Sequence, residues 1–135
     1  VGFGKRNAHR YVAITRQAVD GIITYSKAKH PNEAILVLQG NSNSERILID
    51  RLVIPPFSMS GPYYSGFPVH DLPFDMSYLG TAHSHPGGSN KPSLEDLNHF
   101  FGVVSLIISH PYVDETLGAY NRNGDTLDLR IIDSE

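Results

Sequence analysis

Two histidines one residue apart, His83 and His85, lie in the stretch TAHSHPGGSNKPSLEDLNHF, and Asp96 follows within the same stretch. In an extended strand alternate side chains share a side, so both imidazoles point at one place while Ser84 faces the other way. Pro86 stops the strand, Gly87 and Gly88 permit a sharp return, and Pro92 with Ser93 opens a helix whose first turn contains Asp96. A carboxylate at that position also gains from the helix dipole. Two imidazoles and one carboxylate suit a zinc ion that keeps a fourth position for water, the arrangement of a catalytic centre. Zinc in such a site brings the pKa of its water to about 7 and polarises a carbonyl. A plainer reading stands beside this one: two polar residues at a strand end, and an aspartate that only caps its helix.

The chemistry needs a strand to aim the histidines and a helix start to deliver the aspartate. SYLGTAHSH (77–85) reads as that strand, residues 93 to about 101 as the helix, and VVSLIIS (103–109) as a buried strand. Upstream, RYVAIT (10–15) reads as a short strand. Thr15 then caps a helix running to about Lys29, with Val19, Ile22, Ile23 and Ser26 on one face and Pro31 to end it. EAILVLQG (33–40) and ERILIDRLVI (45–54) are apolar runs of strand length, joined as a hairpin through Asn41-Ser42-Asn43. Residues 55–75 mix Pro and Gly punctuation with Phe57, Tyr63, Tyr64, Phe67 and Phe74. A loop of that length in a small domain covers a core or serves a site, here as lid, groove or core edge. LGAYNRNGDTLDLRII (117–132) reads as a hairpin turning at Asn123-Gly124. Strands alternating with two helices predict an α/β fold, a single domain over residues 1–135 with a central mixed sheet and helices packed on it.

Composition narrows the rest. With 40% hydrophobic and 19% charged residues the chain has the balance of a soluble globular domain, and no apolar run approaches the roughly 20 residues of a membrane span. A formal charge of −3 without blocks of either sign argues against a nucleic-acid or anionic-membrane surface. The absence of cysteine removes disulfides, thiolate zinc ligands and cysteine nucleophiles together. No basic and then apolar leader precedes the first strand, so the expected location is the cytoplasm.

The fixed positions resemble the signature of the JAMM, or MPN-plus, zinc metalloproteases: His-[Ser/Thr]-His-Pro, six residues, Ser, two residues, Asp. Here they are His83-Ser84-His85-Pro86, then Gly87 to Pro92, then Ser93 and Asp96. The family also carries an upstream glutamate at the start of an apolar strand, and HPNEAILVLQG places Glu33 there. Many members follow that glutamate with Cys-Gly, whereas this chain has Ala34-Ile35. The resemblance runs over nearly the whole chain and is to the compact, stand-alone archaeal members. It implies a cytidine-deaminase-like α/β arrangement and one zinc per chain held by His83, His85 and Asp96. It further implies that Glu33 is a base and not a ligand, taking a proton from the attacking water and handing it to the leaving amine.

Ser93 has two compatible roles, as N-cap acceptor for the backbone amide near Asp96 and as hydroxyl donor to a developing oxyanion. Ser84 is expected to support the site from beneath through hydrogen bonds, or simply to pack. His99 is either a partner to the ligands or a surface residue, and the latter is expected; His9, His30, His70 and His110 have no ligand spacing. The activity implied is a zinc isopeptidase acting after the C-terminal tail of a ubiquitin-like small modifier protein or its conjugates. The alternatives are a processing peptidase for a ubiquitin-like sulfur carrier, and a family member that binds partners without catalysis. A zinc nucleoside deaminase is set aside, because its Pro-Cys-x-x-Cys ligands cannot exist in a cysteine-free chain.

Overall fold

A computed structural model describes residues 10–55 and 77–134. The expected aromatic loop, Pro55 apart, lies outside the described residues, as do His9 and His70. Thr15 starts the first helix as the sequence predicts, its Oγ1 accepting the Ala18 N–H at 3.1 Å. That helix, α1 (Arg16–Lys29), follows strand β1 (Tyr11–Thr15) and buries Ala18, Val19, Ile22 and Ser26, while Ile23 is only partly buried at the edge of the core. It stops before Pro31, which cannot supply an amide to continue it.

Strands β2 (Ile35–Ser42) and β3 (Arg46–Val53) form the expected antiparallel pair. Their turn lies slightly later than the polar triplet suggested, because Asn43 closes it: its Oδ1 accepts from the amides of both Glu45 and Arg46. β4 (Tyr78–His85) is central, antiparallel to β2 and parallel to β5 (Val104–Ser109). Between them lies α2 (Leu94–Asn98), shorter than the helix expected to reach about residue 101. The chain must reverse there into β5, and Gly102 makes the reversal at φ +79° so that the Val103 amide meets the Leu79 carbonyl at 2.8 Å.

The expected C-terminal hairpin is only half right. β6 (Leu117–Tyr120), preceded by a 3₁₀ turn (Asp114–Thr116), pairs with the two-residue β7 (Thr126–Leu127), and Gly124 in the turn takes φ +85°. β8 (Leu129–Ile132), however, leaves the hairpin and pairs in parallel with β1. The sheet order is β7-β6-β5-β4-β2-β3-β1-β8, so the two ends of the sheet are separated in sequence by Asp128 alone. A chain gaining about 3.3 Å per residue cannot cross a flat sheet of strands about 4.8 Å apart in that distance. The sheet therefore curls until its edges meet, and Asp128 O accepts the Val12 N–H at 2.8 Å where the β1–β8 pairing begins.

Alternation assigns the two faces. Leu36, Ala82, Leu106 and Ala119 lie side by side in register and join the core with Val19 and Ile22 of α1. The next row along, Ile35, His83, Ile107 and Gly118, points to the other face. A one-residue slip would bury the histidines against α1, and the apolar row on the core side prevents it.

Candidate metal centre

The strand pattern puts both histidines of β4 on the face away from α1, at the end of the strand. His83 pairs with Ile35 and His85 with Ser109. The next residues outward are clasped as well: Ser84 N–H donates to Ala34 O at 3.0 Å, and Ser84 Oγ accepts the Ala34 N–H at 2.9 Å. Continuing this register outward places Glu33 opposite His85. Its charge reaches His85 and favours the protonated imidazole.

Asp96 enters from above through a reciprocal cap. Ser93 Oγ accepts the Asp96 N–H at 3.0 Å, and Asp96 Oδ2 accepts the Ser93 N–H at 2.8 Å. The carboxylate then spans the two rings: Oδ1 is 3.1 Å from His83 Nε2, and Oδ2 is 3.1 Å from His85 Nε2. One ligand atom from each of the three residues lies within 4.8 Å of the other two. Donors on a tetrahedral zinc with bonds of about 2.0 Å stand about 3.3 Å apart, and each Asp96 oxygen lies close to that distance from one imidazole nitrogen.

Three features favour a cation at this point. His83 Nε2 is buried and, despite its closeness to Oδ1, has no partner at hydrogen-bonding geometry. His85 Nδ1 lies 2.9 Å from the Ser89 carbonyl. A carbonyl only accepts, so the ring proton sits on Nδ1 and Nε2 is presented to Asp96. Burial disfavours ionisation of Asp96, but the adjoining His83 and His85 more than offset it and hold the carboxyl well below the usual range. Burial likewise lowers His85, and Asp96, the Ser89 carbonyl and Glu33 outweigh it to raise the imidazole above its ordinary value. An ionised carboxylate and two imidazoles with forward-facing nitrogens are compatible with a single zinc ion.

The structure thus brings His83, His85 and Asp96 together, sets Glu33 beside His85, and uses Ser93 to cap α2. Ser84, wholly buried, makes the supporting hydrogen bonds expected of it. His99 is exposed and its Nδ1 lies 3.0 Å from Glu95 O, within its own helix. His30 and His110 stack on each other with centroids 5.0 Å apart, and His30 Nδ1 lies 2.6 Å from the Tyr112 hydroxyl. Sequence reasoning missed Ser89 and Asn90. Asn90 Nδ2 donates to Thr116 O at 2.9 Å, and its Oδ1 accepts from the Tyr120 hydroxyl at 3.2 Å. The only local signal was a polar triplet, Ser89-Asn90-Lys91, between Gly-Gly and Pro, which specifies a turn and no partner.

The model for prokaryotic homologs of the JAB domain matches residues 15–122. A protein of Haloferax volcanii described as a probable metalloprotease is 33% identical over 132 residues, covering 92% of this chain and 81% of the relative. Among solved structures, a JAB1/MPN domain protein from Archaeoglobus fulgidus superposes with a TM-score of 0.69 at 33% identity, covering 89% of this chain and 98% of that one. A second, described as JAMM, a metalloprotease-like zinc site in the proteasome and signalosome, gives 0.67 at 28% identity over 90% of this chain and 98% of that one.

Proposed function

The chain belongs to the family of prokaryotic homologs of the JAB domain and is a zinc metalloprotease, and from this we propose that it hydrolyses the bond following the C-terminal tail of a ubiquitin-like small modifier protein. The bond is an isopeptide to a lysine side chain or the peptide of a linear fusion, and the expected setting is the cytoplasm. Among the described residues no helix is long and apolar enough to cross a membrane. The observation that carries the reading is the convergence of His83, His85 and Asp96 at the end of β4, with the register of β2 carrying Glu33 opposite His85.

His83, His85 and Asp96 would hold the zinc. Bound there, zinc supplies Lewis acidity, activating water and polarising a carbonyl. Glu33 takes a proton from the attacking water and delivers it to the departing nitrogen, so the amide and water leave as an acid and an amine. Ser93 Oγ accepts the Asp96 amide with one lone pair, which leaves its O–H to donate to the oxygen on which charge develops. Ser84 keeps the segment carrying Glu33 against β4 through Ala34.

The test incubates the zinc-loaded protein with a modifier conjugate and with a linear modifier fusion. Wild type should release the free modifier. Glu33→Gln should bind zinc and lose about 10²–10⁴-fold in rate, the usual worth of a positioned base. Equal cleavage by the two proteins would remove Glu33 from the mechanism, and no cleavage of either conjugate would remove the substrate class.

A further inference from the structure

We propose that Asn90 is a positioning residue for the metal centre, tethering the loop between the ligands to β6 and thereby fixing the Ser89 carbonyl that orients His85. The proposal rests on the reading of His85 as a zinc ligand. The loop 86–92 must carry the chain from His85 to the cap of Asp96, yet Gly87, Gly88 and Ser89 are exposed. A Cβ built at Gly87 or Gly88 would meet nothing within 4 Å, so no packing holds the loop at those points. The hydrogen bonds of Asn90 tie the loop to an element outside the ligand segment.

The Asn90 amide has its orientation set by its partners. The Thr116 carbonyl, 2.9 Å from Nδ2, can only accept, so Nδ2 faces it and Oδ1 receives the Tyr120 hydroxyl at 3.2 Å. Thr116 and Tyr120 bracket β6, one residue before it and at its end. The tether therefore seats on an ordered strand whose Gly118 is in register with Ile107, and Ile107 with His83. Gly118 leaves room for the seat: a Cβ there would fall 2.7 Å from Tyr120 Oη and 3.1 Å from Asn90 Nδ2.

Planarity passes the restraint to the metal ligand. Ser89 C and O lie in one plane with Asn90 N and Cα, so a fixed Asn90 limits the swing of the carbonyl. That oxygen is the one 2.9 Å from His85 Nδ1. Partners of this kind set the tautomer and angle of a metal-binding imidazole, and their loss typically weakens metal binding about 10–100-fold.

Zinc affinity, measured on the full chain by competition with a chromophoric chelator, tests the tether, with the visible absorption of the cobalt(II)-substituted protein as a second readout. Asn90→Ala should weaken zinc binding by about 10-fold or more and alter the cobalt spectrum. Tyr120→Phe, which spares the Thr116 bond, should shift both in the same direction by less. Thr15→Ala, which removes the cap of α1 on the face of the sheet away from the histidines, should lower thermal stability and leave zinc affinity unchanged, separating a positioning role from general weakening. If folded Asn90→Ala binds zinc as tightly as wild type, the tether is overturned. Should that variant fail to fold, an unchanged affinity in Tyr120→Phe overturns it instead. A wild-type protein that binds no zinc overturns the underlying metal-centre reading, whatever Asn90 does.

Discussion

Ser84 and Ala34 hold each other through two hydrogen bonds, one from backbone to backbone at 3.0 Å and one from the Ala34 amide to Ser84 Oγ at 2.9 Å. The residue between the two histidines thereby fixes the neighbour of Glu33. Ser84→Ala leaves the Ala34 amide buried without its side-chain acceptor, at a cost of about 1–3 kcal/mol. Chemical denaturation should show that loss, and the zinc-loaded variant should turn over more slowly while keeping its metal. Wild-type stability in Ser84→Ala would mean the second bond contributes nothing.

Ser93→Ala separates the observed cap from the proposed oxyanion-donor role of that residue. Loss of the side-chain cap costs about 1 kcal/mol, whereas loss of an oxyanion donor costs about 10²–10³ in turnover. Asp96 keeps its bond from the Ser93 amide in the variant, because that donor is backbone. Zinc content should therefore persist while the rate collapses. A variant that loses its metal, or that keeps full turnover, contradicts the assignment.

Legibility in the sequence followed the range of the interactions. His83 and His85 share a face because strands alternate, and Ser93 caps Asp96 because a capping box spans three residues; both are local and readable. Thr15 and the start of α1 were readable for the same reason. The fate of residues 129–132 was not, since they pair with β1, more than a hundred positions upstream, and only the closing curl of the sheet decides it. The Asn90 tether escaped likewise, as its partners lie 26 and 30 residues away. The helix at Ser93 was over-extended because periodicity gives no warning of a reversal at Gly102.

Metal loading should appear as stability. A ligand that binds only the folded chain adds RT ln(1 + [L]/Kd), about 2.7 kcal/mol at a free concentration of 100 Kd. Thermal unfolding should rise with added zinc, return to the metal-free value with a chelator, and respond to neither in Asp96→Ala. A zinc-induced rise of the same size in Asp96→Ala would place the stabilising ion elsewhere.

Acid should weaken a second, unrelated contact. Arg16 grips Asp114 with both arms, Nη1 to Oδ2 at 2.8 Å and Nη2 to Oδ1 at 2.7 Å, joining α1 to the turn before β6. The hydrogen bonds from Arg16, partly opposed by desolvation, hold the Asp114 carboxyl below its ordinary range. A carboxyl with a depressed folded pKa binds fewer protons folded than unfolded. Its stabilisation is thus complete above the unfolded value of about 3.9 and drains away as pH falls through the folded value. Urea midpoints of wild type and Asp114→Asn should therefore differ at neutral pH and converge in strong acid. Both side chains are more than one-third exposed, so added salt should narrow the neutral-pH gap as well. A gap that stays constant from neutral pH down to about pH 2 would show that the carboxylate charge is not its source.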